Sequence, residues 1–488
     1  MSQVKTIARH SAVYSAGTMF EQFSASLLGF FVARFLGPSI QGVWQTARLL
    51  RVYSDLAGLG QSLGMRREVN VAMGAGNLQE VEIQRDTTLV WNAFSLLAAG
   101  LAVAVYALAF PHAPMVRNAL VAMALTIAVT GFSNFFTMWY KATGGFGILA
   151  MSSAGAGLGG LVSIGLLLAW SFNGLLTGYV LTNFVSLAIM AFMYREPLRF
   201  RFTFPAWCRG LRVGFPLFLI NAFAMVFSSL DRIVVVSRMG FSNMGFYSVA
   251  YMLFLPLELA VASVSVVLLP RVCRRFGADA SAADLGRFYL VPLSVLMLAV
   301  PSVAGFMALF LPPLIRLLLP QYEPAIRPAQ IALAGLSFSA ASGFCHNVLL
   351  AAGRSWHIVA GSVVGSLVKL GLIWLLITGH GLSGIAAASA SGYAAQYLVL
   401  YLVSARTTRA AASVWARPLA ESLLFSAGCS VLWLHVGDVR VLLHGSPAER
   451  FWNGLALIAL LAPAAVAARR LLRLLRQRAI PVEAGTAV

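Results

Sequence analysis

The chain has 488 residues, 59% of them apolar and only 10% charged, with a mean hydropathy of +0.82. Soluble domains are about 45–50% apolar and about 25% charged, so composition excludes a water-soluble enzyme. The formal charge of +19, from 35 Lys and Arg against 16 Asp and Glu, would suggest a nucleic-acid partner in a soluble protein; in so apolar a chain it is first a question of membrane topology, and no nucleic acid is expected.

Apolar runs long enough to cross a hydrocarbon core of about 30 Å lie near 12–33, 41–63, 87–110, 117–139, 147–170 and 174–194. A basic loop from Arg195 to Arg212 follows, and then runs near 213–236, 245–269, 288–311, 328–351, 357–378 and 382–403. After Arg406, Arg409 and Arg417, runs near 418–436 and 451–468 bring the total to about fourteen. The expected fold is an all-α integral membrane protein: a six-helix bundle in 1–200, a second in 201–405, and two further helices with a basic tail in 406–488.

With the N-terminus inside, the inner segments carry 24 of the 35 Lys and Arg and the outer segments only six. Basic residues resist translocation against the membrane potential, so this asymmetry is expected to place both termini on the cytoplasmic side and accounts for most of the net charge. The first apolar run is full length and is expected to stay as an anchor. The tail from Ala468 to Arg478 alternates Arg with Leu and is expected on the anionic inner leaflet. Cys208, Cys273, Cys345 and Cys429 are widely spaced, which encodes neither a disulfide framework nor a zinc site.

The two sets of six are internally related. Residues 35–47, FLGPSIQGVWQTA, align without gaps on 238–250, RMGFSNMGFYSVA, at an offset of 203. The shared frame is Gly37/Gly42 and Gly240/Gly245, then Trp44 and Tyr247, then Ala47 and Ala250. Six spans separate the copies, so both have the same orientation, which implies a parallel repeat about an axis along the membrane normal.

These segments, LLGFFVARFLGPSIQGVWQTARLL and SSLDRIVVVSRMGFSNMGFYSVAYML, resemble the paired signatures of bacterial oligosaccharide flippases of the multidrug/oligosaccharidyl-lipid/polysaccharide (MOP) exporter superfamily. GMRREV from Gly64 to Val69 and LLPQYEPAIRPAQI from Leu318 to Ile331 are similar to the same family. The resemblance implies export of a polyprenyl-diphosphate-linked sugar repeat unit by alternating access, with membrane lipids and polysaccharide polymerase machinery as partners. A cation-coupled multidrug antiporter of the same superfamily is the alternative.

A charge at the centre of a membrane helix costs about 2.5–3.5 kcal/mol on insertion scales, so each one needs a reason. Arg48, Arg51 and Asp55 are spaced i, i+3, i+7 and share one face of the second span. Arg51 and Asp55 can pair, which leaves Arg48 as a cation suited to forked bonds with a diphosphate; a structural ion-pair lock is the competing reading. Asp55 plus the offset of 203 is Glu258, and Glu21 lies halfway along the first span. These three carboxylates are candidates for charge compensation or for a coupling ion, H⁺ or Na⁺. Asp231 and Arg232, whose first-half equivalents are Leu28 and Gly29, and Lys369, deep in the eleventh span, are further candidate substrate contacts. No P-loop, metal cluster or general acid/base pair is visible, so neither catalysis nor a cofactor beyond the coupling ion is expected.

Overall fold

The computed structural model describes residues 2–277, 282–407 and 412–436 with isolated positions beyond, and side chains within 13–252 and most of 295–407 and 412–436. The predicted fourteenth span and the Arg-Leu tail lie outside the described residues, as does the side chain of Glu258. Among the described residues all regular structure is helical: α1 (Ser2–Ser54), α2 (Gln61–Gly74), α3 (Leu78–Ala109), α4 (Pro114–Thr143), α5 (Phe146–Phe192), α6 (Phe204–Gly277), α7 (Ala282–Leu318), α8 (Ile326–Ala351), α9 (Ser355–Thr407) and α10 (Ala412–Val436). Eight described helical stretches are long and apolar enough to cross a membrane, which makes this a multi-pass membrane protein.

Four of the helices are long enough for two crossings, and each breaks where the hydrophobic pattern places an outer turn. α1 breaks at Gly37 and α6 at Gly240, with nearly the same torsions: φ 76°, ψ 173° and φ 83°, ψ −179°. Positive φ is open to glycine at little cost, which explains why the repeat frame begins on this residue. α5 breaks at Ser171 and α9 at Gly381, positions related by an offset of 210. The arms on either side fold back on each other: Ser152 meets Ser186 with their hydroxyls 2.6 Å apart, and Gln396 Nε2 donates to Ser362 Oγ at 3.1 Å. Ser362 and Gln396 stand at the same offset from Ser152 and Ser186, so the repeat extends through the fifth and sixth spans of each half.

The chain divides into two compact units, Met1–Met225 with Val236–Gly245, and Val226–Val235 with Phe246–Val488. The first therefore extends past the expected limit of 200. Two small-residue frames explain the extension. A Cβ on Gly64 would collide with the carbonyl of Gly210, and one on Gly214 with the carbonyl of Gly60, so Gly60/Gly64 and Gly210/Gly214 bring α2 and the start of α6 into backbone contact. At the turns, a Cβ on Gly42 would collide with the Phe241 carbonyl and one on Gly245 with the Pro38 carbonyl. Pro38 and Gly42 map onto Phe241 and Gly245 at the offset of 203, so this contact maps onto itself, as a two-fold contact does.

The core of the first unit has two centres. One gathers Leu28, Val32, Trp44, Met123 and Leu175; the other gathers Met65, Val69, Phe135, Trp139 and Met190. Exposed apolar side chains such as Leu101, Leu108 and Phe192 are ordinary for helices solvated by lipid.

Candidate functional site

The second span is not the continuous helix that its hydrophobic run suggests. α1 ends at Ser54, a single 3₁₀ turn covers Asp55–Gly58, and Leu59 (φ 49°) and Gly60 (φ 81°) take left-handed torsions before α2 begins at Gln61. A break at membrane depth frees backbone groups that lipid cannot satisfy, and such breaks persist where protein or a cavity meets them. Here Trp91 Nε1 donates to the Gly58 carbonyl at 3.1 Å, and the Gly60 carbonyl accepts from the amides of Leu63 and Gly64 at 3.0 and 3.1 Å.

A cavity of about 380 Å³ opens at this break. Its polar lining is Asp55, Ser62, Asn92, Asn134 and Asn221, with Leu63, Met138 and Phe218 among its apolar walls. Asp55 is fixed from both sides: Arg51 Nη1 donates to Oδ2 at 3.1 Å and Asn134 Nδ2 to Oδ1 at 3.1 Å. Arg51 also reaches Thr130 Oγ1 at 3.4 Å, and Asn92 Nδ2 donates to Ser62 Oγ at 2.6 Å. Among the described residues one carboxylate and no cation line the cavity. Its amides and hydroxyl offer both donors and acceptors.

Leu63 also walls a groove of about 530 Å³ on the exposed face of α2, lined by Arg66, Arg67, Asn70, Val71 and Leu217. The α2 positions recur at i, i+3, i+4, i+7 and i+8, one helical stripe, while Gly64, Met65, Val69 and Ala72 form the buried stripe opposite. Arg67 meets its neighbour Glu68 at 3.4 Å, and Lys141 lies within electrostatic reach of Arg66.

The remaining sequence candidates fall elsewhere. Arg48 is exposed and lies 5.9 Å from the Trp44 ring centroid, so it shares the face of Arg51 and Asp55 without joining their network or the cavity wall. Glu21 is partly buried and lies near Ser153 of α5. In the second unit Lys369 and Asp231 are 0% and 1% exposed. Lys369 Nζ lies 3.6 Å from Asp231 Oδ1 and donates to the Phe227 carbonyl at 2.9 Å, between the rings of Phe227 and Tyr393. Asp231 Oδ2 accepts from Tyr247 Oη at 2.7 Å and Ser389 Oγ at 2.9 Å. Arg232 turns away, 4.4 Å from the Tyr251 ring, and donates to the Ser228 carbonyl at 3.2 Å.

The repeat gives this buried network its meaning. Asp231 and Tyr247 correspond to Leu28 and Trp44 at the offset of 203, and Ser389 and Lys369 to Tyr179 and Gly159 at the offset of 210. Leu28, Trp44 and Tyr179 are packed in a core cluster of the first unit, with Trp44 edge-on to Tyr179 at 4.9 Å. The second unit thus fills a core position with paired charges. The cavity amides Asn92, Asn134 and Asn221 escaped the sequence reading because lone amides in apolar spans are common; the Gly58-Leu59-Gly60 interruption was the available signal.

Fold and site together define a multi-span helical membrane protein with a polar cavity beside a broken helix. The fold matches an inward-facing multidrug resistance MATE family transporter of the MOP superfamily (TM-score 0.68, 13% identity, covering 82% of this chain and 98% of that one). It also matches the lipid II flippase MurJ in an inward closed conformation (0.68, 15%, 95% and 99%) and a MOP superfamily transporter from Pyrococcus furiosus (0.58, 15%, 83% and 96%). No curated protein sequence matches the chain. The polysaccharide biosynthesis protein family matches residues 79–327, just over half of the chain, and the chain belongs to that family. The resemblance to MOP exporters read from the paired turn signatures is borne out.

Proposed function

We propose that the protein is a flippase that moves polyprenyl-diphosphate-linked oligosaccharides across the bacterial inner membrane by alternating access, for use in cell-surface polysaccharide assembly. The observation that carries this reading is the amide-rich cavity at the broken second span of a chain belonging to a polysaccharide biosynthesis family. Discontinuous helices are where transporters of many folds place their substrate sites. In this reading there are fourteen spans, both termini are cytoplasmic, and the polyprenyl tail stays in lipid while the headgroup crosses. Arg51 holds Asp55 at the cavity wall, and Arg48, which has no acidic partner among the described residues, is the cation offered to a phosphate in transit. Glu21 and Asp55 are the carboxylates offered to a coupling ion, H⁺ or Na⁺, while Asp231 and Lys369 act as an internal lock.

The test is exposure of a polyprenyl-diphosphate oligosaccharide in proteoliposomes, read by an outside-only probe of the sugar under imposed potential, pH and Na⁺ gradients. Protein-dependent exposure that falls in Arg48→Ala/Arg51→Ala supports the reading. Gradient-driven uptake of an organic cation, with no exposure of any sugar lipid, would replace it with an antiporter.

A further inference from the structure

We infer that the first unit holds a two-part headgroup site, in which Arg66 and Arg67 take the diphosphate in the α2 groove and the neighbouring cavity takes an uncharged first sugar. This deepens the flippase reading and rests on it. Leu63 walls both spaces, so groove and cavity adjoin along one helix. Ser62 lines the cavity and Arg66 the groove; four residues at 1.5 Å rise separate them by about 6 Å along the axis. That is the order of spacing between a sugar ring and the phosphates on its anomeric oxygen.

The two spaces differ in charge as the two parts of such a headgroup do. The groove presents two exposed guanidinium groups, with Lys141 near Arg66, and its Leu63, Val71 and Leu217 walls suit the first isoprene units of the tail. The cavity presents amides, a hydroxyl and Asp55, with no cation among its described lining residues, so it favours hydroxyls and disfavours a sugar carboxylate. At about 380 Å³ it lies at the low end of the roughly 300–1,000 Å³ of small-ligand sites, which suits the first sugar rather than a whole repeat unit.

The experiment measures binding to the full-length protein in nanodiscs of zwitterionic lipid. The probes are a short-chain polyprenyl diphosphate bearing one neutral hexose, the same lipid bearing one hexuronic acid, and the sugar-free polyprenyl diphosphate. The hexose lipid should bind about tenfold or more tighter than the uronic one. Arg66→Ala/Arg67→Ala should weaken all three about tenfold or more, with Arg66→Lys/Arg67→Lys recovering part. Asn134→Ala should weaken only the sugar lipids, and Asp55→Asn should narrow the gap between hexose and uronic acid. Both arginines are exposed, and a monodisperse elution profile confirms that the variants fold. Equal binding of the hexose and uronic lipids, or diphosphate binding unchanged in the double Ala variant, overturns the proposal while leaving the flippase reading standing. Equal competition by phosphatidylglycerol would reduce the groove to a general lipid-phosphate contact and also overturn it. Failure of the wild type to bind any polyprenyl diphosphate would remove the flippase reading itself.

Discussion

Ser171 and Gly381 carry the same unusual backbone conformation, φ 52°, ψ −132° and φ 51°, ψ −131°, at equivalent breaks of α5 and α9. In the next turn of each helix, Gly174 and Gly384 make the same close approach, since a Cβ at either would collide with the carbonyl of Leu166 or Leu376, themselves equivalent at the offset of 210. Ser171-x-x-Gly174 and Gly381-x-x-Gly384 are therefore one turn used twice, with a serine where the second copy has the residue that the torsions favour.

That difference predicts opposite responses to exchange. Ser171→Gly relieves a strained serine, worth about 1–2 kcal/mol, against a glycine entropy cost of about 0.5–1 kcal/mol. It should raise thermal stability in detergent slightly. Gly381→Ser, the same exchange in reverse, should lower it by the same net amount, about 1 kcal/mol or less. A loss of stability in Ser171→Gly would mean that the serine side chain has a packing role that outweighs its backbone strain.

Lys369 and Asp231 test whether the buried charges of the second unit are a lock. Lys369→Met removes the cation at ion-pair distance from the fully buried Asp231 carboxylate and should destabilise the fold by about 3–5 kcal/mol. Adding Asp231→Asn should recover much of that loss, because a neutral amide can keep the bonds from Tyr247 and Ser389 without a stranded charge. Thermal unfolding of the single and double variants reads the rescue directly. A direct substrate contact would instead give normal stability with lost transport.

Much of this was legible in the sequence because the bilayer limits what a chain can do. The breaks at Gly37 and Gly240 follow from the Gly-x4-Gly frame, and the Arg51–Asp55 pair follows from i, i+4 spacing. The interruption of the second span was not read, because Asp55–Gly60 sits inside a run apolar enough to cross. Hydropathy measures the cost of side chains in lipid and is blind to a left-handed Leu59. The sequence implies equivalent fifth and eleventh spans but not their register, because Ser171 and Gly381 share torsions, not identity. Sequence places Lys369 at depth, as a ligand contact would be, without showing that Asp231 faces it. Lys369 stands on α9 and Asp231 on α6, a separation along the chain that no local pattern bridges.

The Arg51–Asp55 pair makes the last prediction, one that separates shape from charge at the cavity wall. The pair is partly exposed, so its own contribution to stability should be small, about 0.5–1 kcal/mol. Asp55 also anchors Asn134, however, and Arg51 anchors to Thr130, so removing the guanidinium frees the carboxylate and loosens the wall. Arg51→Ala should therefore reduce sugar-lipid exposure in proteoliposomes far more than it reduces thermal stability. Asp55→Asn keeps one acceptor, its Oδ1 for Arg51, while its Nδ2 can donate to the Asn134 amide only if that amide turns over, and should retain part of the activity. If Arg51→Ala/Asp55→Asn transports better than Arg51→Ala alone, the harm of the single change lies in the unpaired carboxylate. If the double variant is equally impaired, the guanidinium itself is needed in transit, which would set Arg51 beside Arg48 as a phosphate contact.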